Sequence, residues 1–451
     1  MGFVCSLGSW PRLQSRVLEW EASDRGAWRF GNDTRRRFFT LRHRFPTMIR
    51  PALRSTLVFL FLATIAAAAP APVPYTIKLD VVTEGMDGDK CWFHPRAGAI
   101  PGATPTVVLT MQKWNTKRSD DFYPVASGET TDLGATWTPF VEHAATLGRH
   151  RIDAKREEGI CDFTPKWHAA SGRLLGTGHT VFYDDDKLVA VRPRHTVWSV
   201  YDPAAKTWSQ WEKLAMPDEP RWGNAGAGST QRVDLPDGDI LLPIYAKEIN
   251  AKVFASIVVR CRFDGRALRY VEHGPELSVP IDRGLYEPSL AAFDGRFFLT
   301  LRNDQAAYVA RSADGLRYGT PRKWTFDDGA DLGSYNTQAH WVTHQDGLFL
   351  TYTRRGANND NMARARHRAP LFIAQVDPDR LVVLRATERE LVPNKGAQLG
   401  NYAVVDVNER ETWVTTSEGM APGNPAQYGA NARVYAARII WEKPNAAWNR
   451  H

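Results

Sequence analysis

The chain has 451 residues and a formal net charge of +7, which is length enough for a large core or one large symmetric fold. The charge sits in one place: residues 1–69 hold eleven arginines and no lysine against four acidic residues, which accounts for all of it. The remainder is formally neutral, so no clustered basic face argues for a nucleic-acid partner.

Residues 1–47 are Arg-rich and carry no sustained hydrophobic period. From Met48 the pattern changes to a basic start (Arg50, Arg54), an apolar run from Leu57 to Ile65 and a small-residue exit at Ala66–Ala69. That three-part order is the pattern of a secretory signal peptide, and it is too short and wrongly flanked for a membrane span. The expectation is that Met48 is the true start, 1–47 a mis-called N-terminal extension and 48–69 a signal peptide; a genuine leader is the alternative. The mature chain is then secreted or periplasmic, with no membrane span. Three cysteines remain, Cys91, Cys161 and Cys261. Cys91 and Cys161 each precede a strand and could form one disulfide, whereas Cys261 reads as a buried thiol in mid-strand. Neither CxxC nor HExxH occurs, so no metal and no cofactor is expected.

Short strands of one type then recur: "VVLTM" at Val107, "LLGTG" at Leu174, "ILLPI" at Ile240, "FFLTL" at Phe297, "LFLTY" at Leu348 and "TWVTT" at Thr412. Their spacing of 51 to 67 residues fits the blades of a propeller. The expected fold is all-β: a six-bladed β-propeller of four-stranded antiparallel blades, spanning about residues 75–440. "TTDLGATW" (Thr130 to Trp137) matches the Asp-box S/T-x-D-x-G-x-x-W, and "SADGLRY" at Ser312 is a degenerate copy. "YDPAAKTW" at Tyr201, "RFDGRALRY" at Arg262 and "VDPDRL" at Val376 occupy matching places. Asp132 is therefore expected to close a turn, with Gly134 supplying positive φ and Trp137 packing between blades.

With these repeats the chain resembles the sialidase (neuraminidase) superfamily. The resemblance implies an arginine triad on a substrate carboxylate, a Tyr nucleophile assisted by Glu, and an Asp acid/base. "HPRAGAIPG" is similar to the family's opening Arg-Ile-Pro motif, with extra residues, and offers Arg96. "YEPSLAAFDGRFFLTLRN" offers Glu287 and Arg302, and "LFLTYTRRG" offers Arg354 or Arg355, of which alternation lets only one point inward. "LGNYAVVDV" offers Tyr402, with Ala403 where the family usually has Ser, and "KRSDDFYPV" offers Asp120 or Asp121.

The chemistry supports the same residue types. A guanidinium forks onto a carboxylate, so clustered Arg implies an anionic ligand. A substrate carboxylate beside the reacting carbon repels a carboxylate nucleophile; a neutral phenol avoids this. The expected partner is an acidic carbohydrate and the expected activity is exo-hydrolysis of a terminal acidic sugar. His168 and His179 bracket a hairpin near the same rim, with His168 a further substrate-binding candidate. They keep open a propeller polysaccharide lyase acting on uronates, and a non-catalytic carbohydrate-binding propeller is the third reading.

Overall fold

The computed structural model describes residues 70–448, apart from 119, 358, 360–366 and 422. The expected extension and signal peptide fall outside the described residues. Among these, strands dominate and the single α-helix is the four-residue Ala144–Leu147. No described helix is long and apolar enough to cross a membrane.

The strands form six separate antiparallel sheets, here numbered I to VI in chain order. Each of the six "FFLTL"-like segments lies in a different sheet, always next to the inner strand that precedes it in the chain: Thr106–Asn115, Arg173–Asp184, Asp239–Lys247, Arg296–Arg302, Gly347–Thr353 and Glu411–Ser417. These strands read as apolar runs because both of their faces are covered; Gly347–Thr353 is buried at every residue. A separate core cluster joins each sheet to the next. Val108 with Leu174 links I to II, Leu175 with Ile240 links II to III, and Leu241 with Leu299 links III to IV. Phe298 with Trp341 links IV to V, Phe349 with Val414 links V to VI, and Trp413 with Val107 returns VI to I. The arrangement is a β-propeller. Its ring is closed by the strand Tyr75–Thr83, which pairs with Val434–Trp441 as the outer strand of sheet VI.

The inner strands are not equivalent. Five are continuous: Lys90–Ile100, Arg156–His168, Tyr286–Phe293, His340–His344 and Ala403–Asn408. In sheet III the inner strand is broken into Asn224–Gly226 and Val233–Asp234. Three of the continuous strands carry a β-bulge near their start, between Phe93 and Arg96, Cys161 and Thr164, and Tyr286 and Ser289. The bulged residues His94, Asp162 and Glu287 all have φ between 44° and 54°, and Ser229 and Asn401 adopt φ of 56° and 69° at the matching points of sheets III and VI. Non-glycine residues held there each cost about 1–3 kcal/mol, and such outliers cluster at functional sites.

Asp132 is a turn residue, as expected. Its carboxylate accepts the Thr136 N–H at 2.9 Å and the Thr130 hydroxyl at 2.7 Å, while the Gly134 N–H, on a residue with φ of 82°, donates to Thr130 at 2.9 Å. Asp314 repeats the device on the N–H groups of Leu316 and Arg317. Trp137 reaches across from sheet I to lie 6.4 Å from Trp413 of sheet VI. The disulfide does not form: Cys91 and Cys161 are separate buried thiols. Cys161 Sγ is instead 3.2 Å from His179 Nε2. Cys261 is a buried thiol between sheets II and III.

Candidate functional site

The bulges of sheets I and II bring His94 and Asp162 together, and Ser229 from the break in sheet III meets them. Asp162 sits at the centre of this group. Its Oδ1 accepts from Arg96 Nη2 and, at 2.8 Å, from the Ser229 hydroxyl, and it lies 3.6 Å from His94 Nε2. Its Oδ2 lies 4.0 Å from His179 Nε2. Burial opposes the Asp162 charge, but His94, Arg96 and His179 outweigh it and hold the carboxyl well below the usual carboxylate range. Burial also pushes the His94 imidazole down to about 4, with Asp162 opposing and Arg96 and Arg368 adding to the effect. His179 is driven well down by burial, then by Arg194. Both rings are therefore neutral near pH 7.

Arg96 is fully buried, yet its Nε and Nη1 have no hydrogen-bond partner. The same holds for Nδ1 of His94 and of His179. Buried polar atoms are seldom left unpaired, because each costs about 1–3 kcal/mol. Two more arginines border the group. Arg194 lies over the Tyr245 ring at 4.9 Å. Arg368 packs against Gly400, where an added Cβ would come 2.4 Å from its Cδ, and its charge acts on His94.

Glu287 and Arg302 do meet, as the hairpin pattern implies, at 2.5 Å, and Arg302 Nε donates to Asn336 at 2.8 Å. Asn336 also accepts from the Tyr286 hydroxyl at 2.9 Å, and Tyr286 donates to Asp304 at 3.0 Å. Tyr245 joins this group to the first: its ring is 6.3 Å from Tyr286 and 6.1 Å from His179. Its phenol is pushed up mainly by burial, with Arg194 opposing and Glu287 adding, so it stays protonated.

Of the residues expected from sequence, Arg96, Glu287 and Arg302 lie here. Asp120 is exposed, and its charge acts on Cys161 and Arg192. Asp121 is buried in an ion pair with Arg149 at 2.9 Å and is a structural residue. Tyr402 is displaced from the site. It is fully buried in the packing of sheets V and VI, and its hydroxyl donates to the carbonyls of Thr351 at 2.7 Å and Gln338 at 3.0 Å. The physical reason is that its ring packs among the apolar residues between sheets V and VI, edge-on to His340 at 5.1 Å, one residue after Asn401 breaks the regular backbone with a φ of 69°. Arg354 forks onto Glu388 at 2.6 and 2.8 Å, and Arg355 is exposed, over the Tyr335 ring at 5.3 Å. Neither joins the cluster around Asp162. His168 is also structural, bonded to the Ser171 hydroxyl at 2.8 Å and the Gly238 carbonyl at 2.9 Å at the far end of its strand.

His94, Asp162, Ser229, Arg194, Tyr245 and Arg368 were not singled out from sequence. One signal does exist. His94, Asp162, Ser229, Glu287 and Asn401 precede Val107, Leu174, Ile240, Phe297 and Thr412, always by 10 to 13 residues. Cys161, Asp162 and His179 together have the donor types of a metal site.

No protein-family model matches the sequence, and no curated protein matches it. Solved structures do. A protein of unknown function from Dyadobacter fermentans superposes with a TM-score of 0.56 at 15% identity, over 81% of this chain and 99% of that one. The Hadza microbial sialidase Hz136 gives 0.58 at 12% identity, over 80% and 68% of the two chains. Trypanosoma rangeli sialidase, in complex with a difluoro-KDN, gives 0.53 at 13% identity over 78% of this chain and 53% of its own. The fold is sialidase-like. The chain spans about half the length of the Trypanosoma rangeli protein.

Proposed function

We propose that the bulged end of the inner strands binds the carboxylate of an acidic sugar and cleaves its glycosidic bond. The protein is then a secreted, sialidase-like exo-glycosidase whose six sheets are six blades turned by Asp-boxes. The observation that carries this reading is Arg96: a wholly buried guanidinium with two unpartnered nitrogens beside a fixed carboxylate. Nε–H and Nη1–H lie on either side of Cδ and each needs its own acceptor, so an oxygen of an arriving anion pairs with one of them. Arg302 and Arg194 flank the same space.

Tyr245 takes the nucleophile's role that the sequence pattern suggested for Tyr402. Glu287 is near enough for its charge to act on the phenol and receives the phenolic proton as the oxygen attacks the anomeric carbon. Asp120 protonates the leaving oxygen. Water then adds to the anomeric carbon and gives its proton back to Asp120, while the glycosyl–tyrosine bond breaks and Glu287 returns its proton to the phenol. A second reading rests on one observation: His179 and Tyr245, both neutral, face each other at 6.1 Å. A lyase would use such a pair to remove and donate protons across a uronate ring.

The test is product analysis on glycans ending in sialic acid, another nonulosonic acid or a uronate. A free reducing sugar is expected; an unsaturated, ultraviolet-absorbing product would select the lyase, and no product a binding module. Tyr245→Phe should lower kcat by about 10³-fold or more with binding retained, because the lost group acts in the chemical step. Sequencing of the exported protein's N-terminus should find neither Trp10 nor Trp20.

A further inference from the structure

We propose that Cys161, Asp162 and His179 form a zinc-binding site beside Arg96, with one coordination position open toward Arg194 and Tyr245. The separations are 3.2 Å from Cys161 Sγ to His179 Nε2, 3.8 Å from Sγ to Asp162 Oδ2 and 4.0 Å from Nε2 to Oδ2. Metal bonds of about 2.0–2.3 Å to N, O and S in tetrahedral geometry require ligand separations of about 3.3–3.6 Å. The three atoms therefore need shifts of only a few tenths of an ångström.

The strand is built to present them. Cys161 and Asp162 are neighbours, and in a regular strand their side chains would point to opposite faces. The bulge and the φ of 54° at Asp162 bring both to one side. The carboxylate is already divided: Oδ1 is held by Arg96 and Ser229, which orients Oδ2 toward the thiol and the imidazole. Partners of this kind around a metal ligand fix its geometry. The break in sheet III makes the room. A Cβ at Gly228 would come 1.7 Å from His179 Nδ1, and one at Gly226 would come 2.6 Å from His179 Cβ. The glycines take the Nδ1 edge of the ring, which leaves Nε2 facing the thiol and the carboxylate.

Thiolate, imidazole and carboxylate together select zinc over calcium or magnesium, which take oxygen ligands. The thiolate and carboxylate also cancel the two charges of the ion, which the nearby Arg96 and Arg194 otherwise repel. Binding would release the Cys161 thiol proton to solvent. Three protein ligands leave a fourth position for water or a substrate oxygen.

The test uses the full chain and metal alone. After chelation and dialysis, titration with zinc chloride should saturate at one equivalent, raise Tm and release protons. Cobalt(II) should give a thiolate-to-cobalt charge-transfer band in the near ultraviolet. Cys161→Ser and His179→Gln should each lose the stoichiometric zinc, and Cys161→Ser the band, with circular dichroism checking the fold. Absence of the cobalt band in the unmutated protein, or one equivalent of zinc retained by both variants, overturns the site. Because no glycan is present, these outcomes are independent of whether the protein cleaves one.

Discussion

Two sets of charges lie along the inner strands, one gathered around the bulges and one beyond them, and the two sets are treated differently. Beyond the bulges, Lys166, Arg232 and Asp406 line a cavity of about 130 Å³ together with Ala97 and Trp341, and Asp234 is paired with Arg232. Arg232 donates to Asp234 at 2.9 Å, to the Leu175 carbonyl at 2.8 Å and to the Lys166 carbonyl at 3.0 Å, while Lys166 donates back to the Arg232 carbonyl at 2.9 Å. These groups satisfy one another. At the bulges, Arg96 and His94, joined by His179 from the second strand of sheet II, keep unpartnered nitrogens around the carboxylate of Asp162. A buried charge that is fully bonded is a structural element, whereas one with unused donors is arranged for something that arrives.

The sharpest way to break this comparison is to truncate one arginine from each set. Arg96→Ala and Arg232→Ala each strand a buried carboxylate, and each should cost about 3–5 kcal/mol in urea unfolding. Only Arg96→Ala should also abolish binding of an acidic glycan; loss of binding in Arg232→Ala would erase the distinction. Acid should act next most strongly, and through the set around Asp162. An unfolded chain protonates His94 near its ordinary 6.5, whereas the folded protein does so only near 4. Folded His94 thus binds fewer protons in that window, so stability is intact above pH 6.5 and falls as the pH drops to 4, by about 3 kcal/mol for this group. Urea midpoints measured across pH 7 to 4 should show that slope, and His94→Gln should flatten it.

Two smaller effects separate scaffold from site. Tyr402→Phe removes two hydrogen bonds to backbone carbonyls and should cost about 1–2 kcal/mol with turnover unchanged. A large loss of kcat there would restore the nucleophile expected from the sequence and displace Tyr245. Asp132→Ala should cost ~1 kcal/mol through its turn alone, again with unchanged turnover.

The contrast also explains what the sequence could reveal. The "FFLTL"-like strands are legible because a strand covered on both faces has to be apolar throughout, and each falls in its own sheet. Asp132 and Asp314 are legible because their turns are closed within a few residues. Glu287 and Arg302 are legible because a hairpin brings strand start and strand end together. Tyr402 misleads because alternation alone does not reveal the positive φ at Asn401 beside it, nor the carbonyls of Thr351 and Gln338 that hold its hydroxyl in the packing of sheets V and VI. Arg354 misleads because Glu388, its bidentate partner, lies on a distant segment of the same sheet. His179, Tyr245 and Arg368 come together only through packing between sheets, for which one sequence carries no local mark.

The closure of the ring by Tyr75–Thr83 against Val434–Trp441 bears on the order of assembly. Arg438 and Asp80, paired across this seam at 3.2 Å, are 358 residues apart in the chain. Joining ends that distant carries a loop-closure penalty that only the finished seam repays. The sheets between can form from local hairpins as the chain emerges, N-terminal ones first. The first of the described strands must nevertheless wait, with its edge unpaired, until Val434–Trp441 has been synthesised.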